Sequence, residues 1–166
     1  MWQCILSHLT VVTLYHMRNN PRLECYFITN WWGEAVAKVR VLLADDHEAI
    51  LARVRALLCE EFDVVATVNN GRDAVTEVRR LDPDVLVSDI SMPILDGLQA
   101  ASRLRSASSR TKIVFLTVHE DQDFVAAALS FGASGYVTKS HLSTDLIPAI
   151  RQAVQGHTFV SELTPR

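Results

Sequence analysis

The chain has 166 residues, of which 49% are hydrophobic and 21% are charged, and its formal net charge is −3. This length allows one domain with a buried core, and the composition excludes a disordered or low-complexity chain. No run of about 18 apolar residues is present, which excludes a transmembrane bundle. The mildly acidic balance argues against a basic face that binds nucleic acid. The three cysteines lack paired spacing, so we expect no zinc site, no disulfide framework and a cytoplasmic location.

The composition of the chain changes near residue 38. The first 38 residues contain all three tryptophans and two of the three cysteines, whereas residues 39–166 contain 13 basic and 17 acidic side chains. The apolar start lacks the basic residues and the small-residue cleavage site of a signal peptide. It also lacks the basic polar face of a helix that lies on a membrane. We therefore expect no membrane contact, and we interpret residues 1–38 as an extension of unknown role: an appended helix or strand, or the product of a start codon assigned too far upstream.

From residue 39 onwards, short apolar runs alternate with segments of helical periodicity. The strands are predicted at 39–44, 64–68, 85–87, 113–116 and 135–137. The helices are predicted at about 47–60, 72–81, 98–104, 121–131 and 142–155, with a turn at 69–71. Because most of these strands are apolar on both faces, we predict an α/β fold in which helices cover both sides of a doubly wound, five-stranded parallel sheet.

Polar side chains follow four of the predicted strands at their carboxyl ends. They are Asp45 and Asp46 after the first strand, Asp89 after the third, Thr117 after the fourth and Lys139 after the fifth. Open parallel sheets bind ligands at this edge. Taken singly, each residue has an ordinary interpretation as a helix cap, a turn residue or a solvated charge. Their occurrence at four separate strand ends favours one common site.

The residue types at this edge predict phosphoryl chemistry. Three neighbouring carboxylates raise one another's pKa unless a cation is present, and hard oxygen ligands suit Mg²⁺ better than zinc. A carboxylate beside Mg²⁺, an amine and a hydroxyl can accept a phosphoryl group. No glycine-rich phosphate loop is present, so nucleotide binding is not supported. His47 and His119 flank the predicted site, and we interpret them as rim residues rather than as catalysts.

Four motifs within residues 39–156 occur together in one protein family. They are Ala44-Asp45-Asp46-His47, Asp89-Ile90-Ser91-Met92-Pro93-Ile94-Leu95-Asp96-Gly97, Leu116-Thr117, and Gly132-Ala133-Ser134-Gly135-Tyr136-Val137-Thr138-Lys139. With these motifs, residues 39–156 resemble the receiver domain of a two-component response regulator of the NarL/LuxR-type subfamily. The resemblance implies a flavodoxin-like fold with the strand order 2-1-3-4-5.

The resemblance also implies roles for the acidic residues. Asp89 would be the phosphoacceptor, and a sensor histidine kinase would be the phosphoryl donor. Asp45, Asp46 and Asp89, together with the backbone carbonyl of Ser91, would hold Mg²⁺. Such a domain transfers the phosphoryl group to itself, so we expect a regulatory domain rather than an enzyme.

The remaining motif residues would carry the signal. By resemblance, Thr117 would bind a phosphoryl oxygen and Lys139 would pair with Asp89 and the phosphate. Thr117 would move toward the phosphoryl group, and Tyr136 would pack into the vacated space. The surface formed by the fourth helix, the fifth strand and the fifth helix would then change, and the domain would dimerise through it.

Two positions depart from the family pattern. Ser140 follows the lysine at a position where many receivers have a proline that supports a cis peptide bond. Val118 stands where many receivers have a small residue. Because its β-branched side chain is stiff, we expect it to narrow the approach to the phosphoryl group.

Residues 157–166 are interpreted as a tail or as the start of a linker. Leu163-Thr164-Pro165-Arg166 resembles the opening of a LuxR-type helix-turn-helix, with threonine as helix cap and proline in the first turn; the other interpretation is a frayed tail. We expect DNA binding of a full-length protein that carries such a segment. The 166 residues alone would not bind DNA, because the charge of −4 beyond residue 38 opposes it.

Two alternative functions come from other classes. A phosphohydrolase that forms an aspartyl phosphate would need a second carboxylate two residues after its nucleophile, and this chain has Ser91 there. A receiver that serves only as an interaction module or phosphate sink is the other alternative, and the intact acidic set argues against it.

Overall fold

The fold is known from a computed structural model that describes residues 38–163. The predictions for the N-terminal extension and for the last three residues therefore lie outside the described residues. The strands are β1 (Arg40–Ala44), β2 (Asp63–Val68), β3 (Val85–Ser88), β4 (Lys112–Thr117), β5 (Gly135–Thr138) and β6 (Phe159–Val160). The helices are α1 (Glu48–Leu58), α2 (Gly71–Leu81), α3 (Gly97–Ser106), α4 (Gln122–Ser130) and α5 (Leu142–Val154), with a short 3₁₀ turn at Lys139–His141. No helix within the described residues is both long and apolar enough to cross a membrane.

The strands form one parallel sheet in the order β2-β1-β3-β4-β5-β6. The predicted order of the first five strands is confirmed, but the prediction of five strands is one short. β6 lies in the segment interpreted as a tail and pairs with β5. The backbone N–H of Phe159 donates to the carbonyl of Ser134 at 3.1 Å, and that of Ser161 donates to the carbonyl of Tyr136 at 2.9 Å.

The core lies in two layers, one on each side of the sheet. Alternate residues of a strand point to opposite faces, so Leu42 packs toward α2 and α3 while Leu43 packs toward α1 and α5. Both side chains are buried, as are their neighbours on β3 and β4. The predicted burial of both faces of the sheet is confirmed.

The helix α2 begins one residue earlier than predicted, at the last residue of the predicted turn. Asn70 is the N-cap of α2, and its side-chain oxygen accepts a hydrogen bond from the N–H of Asp73 at 2.9 Å. The helix begins at Gly71, where a side chain would overlap the backbone carbonyl oxygen of Leu95. Asparagine followed by glycine is typical of a turn, but asparagine is equally favoured as a helix cap.

The register of the sheet sets the positions of the polar strand ends. Ala44 at the end of β1 pairs with Ser88 at the end of β3, so Asp45 and Asp89 emerge side by side. The N–H of Asp89 donates to the carbonyl of Ala44 at 2.8 Å. A side chain at Gly97, the first residue of α3, would overlap the carbonyl oxygen of Asp89. The absence of a side chain there lets α3 pack directly against the residue that follows β3.

Candidate functional site

The ammonium group of Lys139 joins two buried carboxylates. Asp45 and Asp89 are each only 3% exposed, and the Nζ atom of Lys139 lies 2.7 Å from the Oδ2 atom of each. Burial acts to lower the pKa of Lys139, but its ion pairs with Asp45 and Asp89 outweigh burial and raise that pKa above its ordinary value. Lys139 is therefore a cation at neutral pH and offsets one of the neighbouring negative charges.

The carboxylate of Asp89 is held at both oxygens. Its Oδ1 atom accepts a hydrogen bond from the N–H of Ile90 at 2.6 Å and a longer one from the N–H of Ser91 at 3.4 Å. Its Oδ2 atom accepts from Lys139 at 2.7 Å. Ser91, the predicted carbonyl ligand, follows in the loop between β3 and α3. These contacts fix the carboxylate at the carboxyl end of the sheet.

The donor atoms of a metal site lie around the same carboxylates. One donor atom from each of Asp45, Asp46, His47 and Asp89 lies within 4.8 Å of the others. The Oδ2 atom of Asp45 is buried, and the ammonium of Lys139 lies 2.7 Å from it and neutralises its charge. Three carboxylates facing one ammonium leave an excess of negative charge, which fits a divalent cation with oxygen ligands such as Mg²⁺.

Thr117 and Tyr136 are both fully buried. Thr117 ends β4 in register with Thr138, the residue before Lys139, and its hydroxyl accepts a hydrogen bond from the N–H of His119 at 3.3 Å. Burial first, and then the charges of Asp121 and Asp89, raise the pKa of Tyr136 to about 12. The phenol therefore remains protonated at neutral pH.

His119 contacts more of the site than its interpretation as a rim residue implies. Its Nε2 atom lies 2.9 Å from the hydroxyl of Ser91, and its ring stacks on Phe124 of α4 with centroids 4.0 Å apart. Its backbone carbonyl accepts a hydrogen bond from the phenol of Tyr136 at 2.9 Å. The sequence carries no signal for these contacts, because they depend on how two loops distant in the chain approach each other.

The two departures from the family pattern lie on the exposed side of the site. Every peptide bond within residues 38–163 is trans, including the one that precedes Ser140. The hydroxyl of Ser140 donates to the Oε1 atom of Glu120 at 2.8 Å and so links the loops that follow β4 and β5. Val118 is 64% exposed, so its side chain faces solvent beside the buried Thr117.

The described site thus combines a fixed carboxylate, a partly buried ammonium, two further carboxylates and a nearby hydroxyl. A carboxylate in these surroundings can act as a nucleophile toward a phosphorus atom, since neighbouring cations offset the charge on the transferring oxygens. Such a reaction forms an acyl phosphate.

The sequence of this chain matches the profile and the members of one protein family. A profile described as the response regulator receiver domain matches residues 41–151. The transcriptional regulatory protein DegU of Brevibacillus brevis is 34% identical over 125 residues, which are 74% of this chain and 53% of DegU. The chain spans about half the length of the curated relatives it matches.

Solved structures agree with the sequence relatives. The signal receiver domain of the response regulator NarL from Mycobacterium tuberculosis has a TM-score of 0.71 and 30% identity, and covers 74% of this chain and 100% of that one. The RcsB response regulator of Salmonella typhimurium, in a structure concerned with its DNA interaction, has a TM-score of 0.70 and 28% identity, and covers 75% of this chain and 66% of that one.

Proposed function

The chain belongs to the response regulator receiver domain family, and from this premise we propose that Asp89 accepts a phosphoryl group from a sensor histidine kinase in the cytoplasm. The observation that carries the proposal is the ammonium of Lys139, 2.7 Å from both Asp45 and Asp89. An ammonium in that place can pair with an oxygen of an incoming phosphoryl group without leaving the site. The role is regulatory, because the group is transferred to the protein itself.

The transfer replaces one bond to phosphorus with another. A carboxylate oxygen of Asp89 attacks the phosphorus of a phosphohistidine; the new O–P bond forms as the P–N bond breaks, and the donor imidazole keeps the electron pair. Lys139 holds the carboxylate in place, and Thr117 offers its hydroxyl to a phosphoryl oxygen. A Mg²⁺ ion held by Asp45, Asp46, Asp89 and the carbonyl of Ser91 supplies positive charge to the phosphoryl oxygens when it is bound.

The phosphoryl group then biases a surface formed by α4, β5 and α5. Thr117, drawn toward the phosphoryl oxygens, gives up the hydrogen bond from the N–H of His119. The phenol of Tyr136 donates a hydrogen bond to the backbone carbonyl of His119. A shift of His119 would therefore move or break a contact of β5. We propose that this surface is also where two copies of the domain associate. The coupling needs only that phosphate favour one of two arrangements of the loop.

The output of the switch is proposed to be transcription. DegU is named a transcriptional regulatory protein, and a LuxR-type helix-turn-helix following the receiver would contact DNA. Residues 39–166 carry 13 basic and 17 acidic side chains, and this excess of negative charge does not favour contact with DNA. DNA binding is therefore assigned to the output segment of a longer protein.

Incubation with acetyl phosphate and Mg²⁺, followed by mass spectrometry of the intact chain, tests phosphoryl acceptance. We expect a mass increase of one phosphoryl group in an acid-stable, base-labile form. Asp46→Ala should reduce both the rate of labelling and the Mg²⁺ affinity measured by calorimetry. Asp123→Asn, at an exposed carboxylate on α4, is the matched control and should label normally. A chain that folds but takes up no phosphate would instead support the interaction-module alternative.

A further inference from the structure

The loop that follows β4 is joined at two adjacent residues to the segment formed by β5 and the turn after it. The backbone carbonyl of His119 accepts a hydrogen bond from the phenol of Tyr136 at 2.9 Å. The side chain of the next residue, Glu120, accepts one from the hydroxyl of Ser140 at 2.8 Å. The first bond belongs to the proposed switch, whereas the second involves none of the residues that carry the proposed reaction.

Two further polar side chains extend the bond between Ser140 and Glu120 into the interior. The hydroxyl of Thr138, which is fully buried, lies 2.9 Å from that of Ser140 and 2.9 Å from the Nδ1 atom of His141. The Nδ1 atom also lies 3.3 Å from the hydroxyl oxygen of Ser140, a longer contact that the same proton can share. The four side chains therefore form one connected group.

The hydrogen bonds in this group have one direction. An ionised carboxylate can only accept, so Ser140 donates its single hydroxyl proton to Glu120. Ser140 then accepts from Thr138, and Thr138 in turn accepts from a proton on Nδ1 of His141. The opposite direction would leave the oxygens of Thr138 and Ser140 in contact at 2.9 Å without a proton between them. The chain therefore runs from His141 to Glu120 and requires a proton on Nδ1.

One end of the chain is fixed, and the other end lies on the loop that is proposed to move. Ser140 follows Lys139, whose ammonium is paired with two buried carboxylates of the site. Glu120 lies three residues after Thr117, in the loop whose backbone bond to the Thr117 hydroxyl is given up in the proposed transfer. A displacement of this loop would stretch or break the bond from Ser140. The bond therefore favours the arrangement in which Thr117 has not moved.

We propose that Ser140 is a positioning residue, which restrains the loop after β4 in the unphosphorylated arrangement through the chain of hydrogen bonds that ends on Glu120. An interaction present in only one of two arrangements lowers the population of the other. The restraint therefore slows the uptake of a phosphoryl group by Asp89. The inference rests on the proposed function, because the second arrangement is the one that phosphate favours, and it adds residues outside the phosphoacceptor, metal and switch sets.

The direction of the chain can be measured on the unphosphorylated protein. Long-range proton–nitrogen correlation NMR of the full chain at about pH 8.5, where imidazole is ordinarily neutral, shows which ring nitrogen carries the proton. We expect it on Nδ1 of His141, with the signal assigned by its loss in His141→Asn. In Glu120→Ala the chain can reverse, so that Thr138 donates to Nδ1 and the proton moves to Nε2. A proton on Nε2 in the unaltered chain, or one that stays on Nδ1 in Glu120→Ala, would overturn the proposal.

The rate of labelling by acetyl phosphate with Mg²⁺ tests the restraint itself. Ser140→Ala and Glu120→Ala should each be labelled roughly fivefold faster than the unaltered chain, the factor that one net hydrogen bond supplies. The double variant should be no faster than either single variant, because both remove the same bond. Ser140→Thr keeps the hydroxyl and should be labelled at the unaltered rate.

Ser143→Ala is the matched control for Ser140→Ala. It removes an exposed hydroxyl in the first turn of α5 that accepts a hydrogen bond from Arg53 at 3.3 Å, and it should leave the rate of labelling unchanged. A rate in Ser140→Ala that equals or falls below that of the unaltered chain would overturn the proposal. So would an acceleration in Ser143→Ala as large as that in Ser140→Ala.

Failure of this inference and failure of the proposed function give different results. A chain that is labelled at Asp89, with the same rate in Ser140→Ala, retains its proposed function and lacks the restraint. If no variant takes up phosphate, the proposed function and the restraint on uptake both fail, and the spectrum of His141 still reports the hydrogen-bond chain. Circular dichroism of each variant establishes that its fold is intact.

Discussion

The phenol of Tyr136 donates a hydrogen bond to the backbone carbonyl of His119 at 2.9 Å while its ring is completely buried. The bond joins β5 to the loop that follows β4, and the ring of His119 in turn stacks on Phe124 of α4. A change at this loop therefore reaches the strand and the helix together. These contacts support the part of the proposed switch surface that lies on α4 and β5.

Tyr136→Phe should lower the free energy of unfolding by about 1 kcal/mol, the usual net value of one such hydrogen bond. Chemical denaturation at neutral pH measures it. The pH profile gives a second signature, since burial raises the pKa of Tyr136 from 10.0 to about 12. As the pH rises, the phenol of Tyr136 ionises in the unfolded chain before it ionises in the folded one. The part of the free energy of unfolding that comes from the protonated phenol is therefore complete below pH 10 and is lost as the pH rises toward 12. Tyr136→Phe should lack that part of the alkaline loss, and identical alkaline profiles would contradict the assignment.

Lys139→Met should destabilise the fold at neutral pH by about 3 kcal/mol, because it leaves two buried carboxylates without their cation. Because the pKa of Lys139 is raised, the contribution of the ammonium to the free energy of unfolding is complete at neutral pH. It is lost only as the pH rises through that pKa.

The control for this prediction is Lys112→Met, at a half-buried lysine that begins β4 and lies outside the acidic site. It should change stability far less. Adding Asp89→Asn to Lys139→Met should restore part of the lost stability, which a double-mutant cycle measures. Equal effects of the two lysine substitutions would show that Lys139 is not the cation that stabilises the pair.

Gly97→Ala should lower stability by about 2–3 kcal/mol and slow labelling at Asp89, because the added methyl group overlaps the carbonyl oxygen of Asp89. Gly156→Ala makes a useful comparison. Gly156 has a φ of +84° and open space around its Cβ position, so alanine there costs about 1 kcal/mol of backbone strain and should leave labelling unchanged. If both variants label at the normal rate, the close approach at Gly97 does not position the acceptor.

Val118→Ala should accelerate phosphorylation by acetyl phosphate and also hydrolysis of the acyl phosphate, because it opens the approach to the site. Val118 is 64% exposed, so the truncation should change stability by less than about 0.5 kcal/mol. Rates are followed by intact mass over time. Equal rates in the two proteins would show that access at this position is not limiting.

Much of the fold and the membership of the acidic cluster could be predicted from the sequence, for one physical reason. The carboxyl ends of parallel strands share an edge, so residues that follow apolar strands must come close together. On that basis the sequence predicts that Asp45, Asp89 and Lys139 converge, and in the structure Lys139 contacts both carboxylates directly.

The features that could not be predicted depend on tertiary contacts. β6 has only two residues, too few for an alternating pattern, and it exists because Phe159 and Ser161 find backbone partners along β5. The orientation of the His47 ring toward Asp46 depends on a rotamer, and the contact of Ser91 with His119 depends on two loops. None of these is encoded in local periodicity.

Identification of the residue that carries the phosphoryl group is the decisive experiment for the proposed role of Asp89. After incubation with acetyl phosphate and Mg²⁺, tritiated borohydride reduces an aspartyl phosphate to homoserine, and peptide mapping locates the label. We predict that the label lies at position 89 and disappears in Asp89→Asn, while circular dichroism shows that this variant remains folded. Label at another carboxylate, or undiminished phosphate uptake by Asp89→Asn, would show that Asp89 is not the phosphoacceptor.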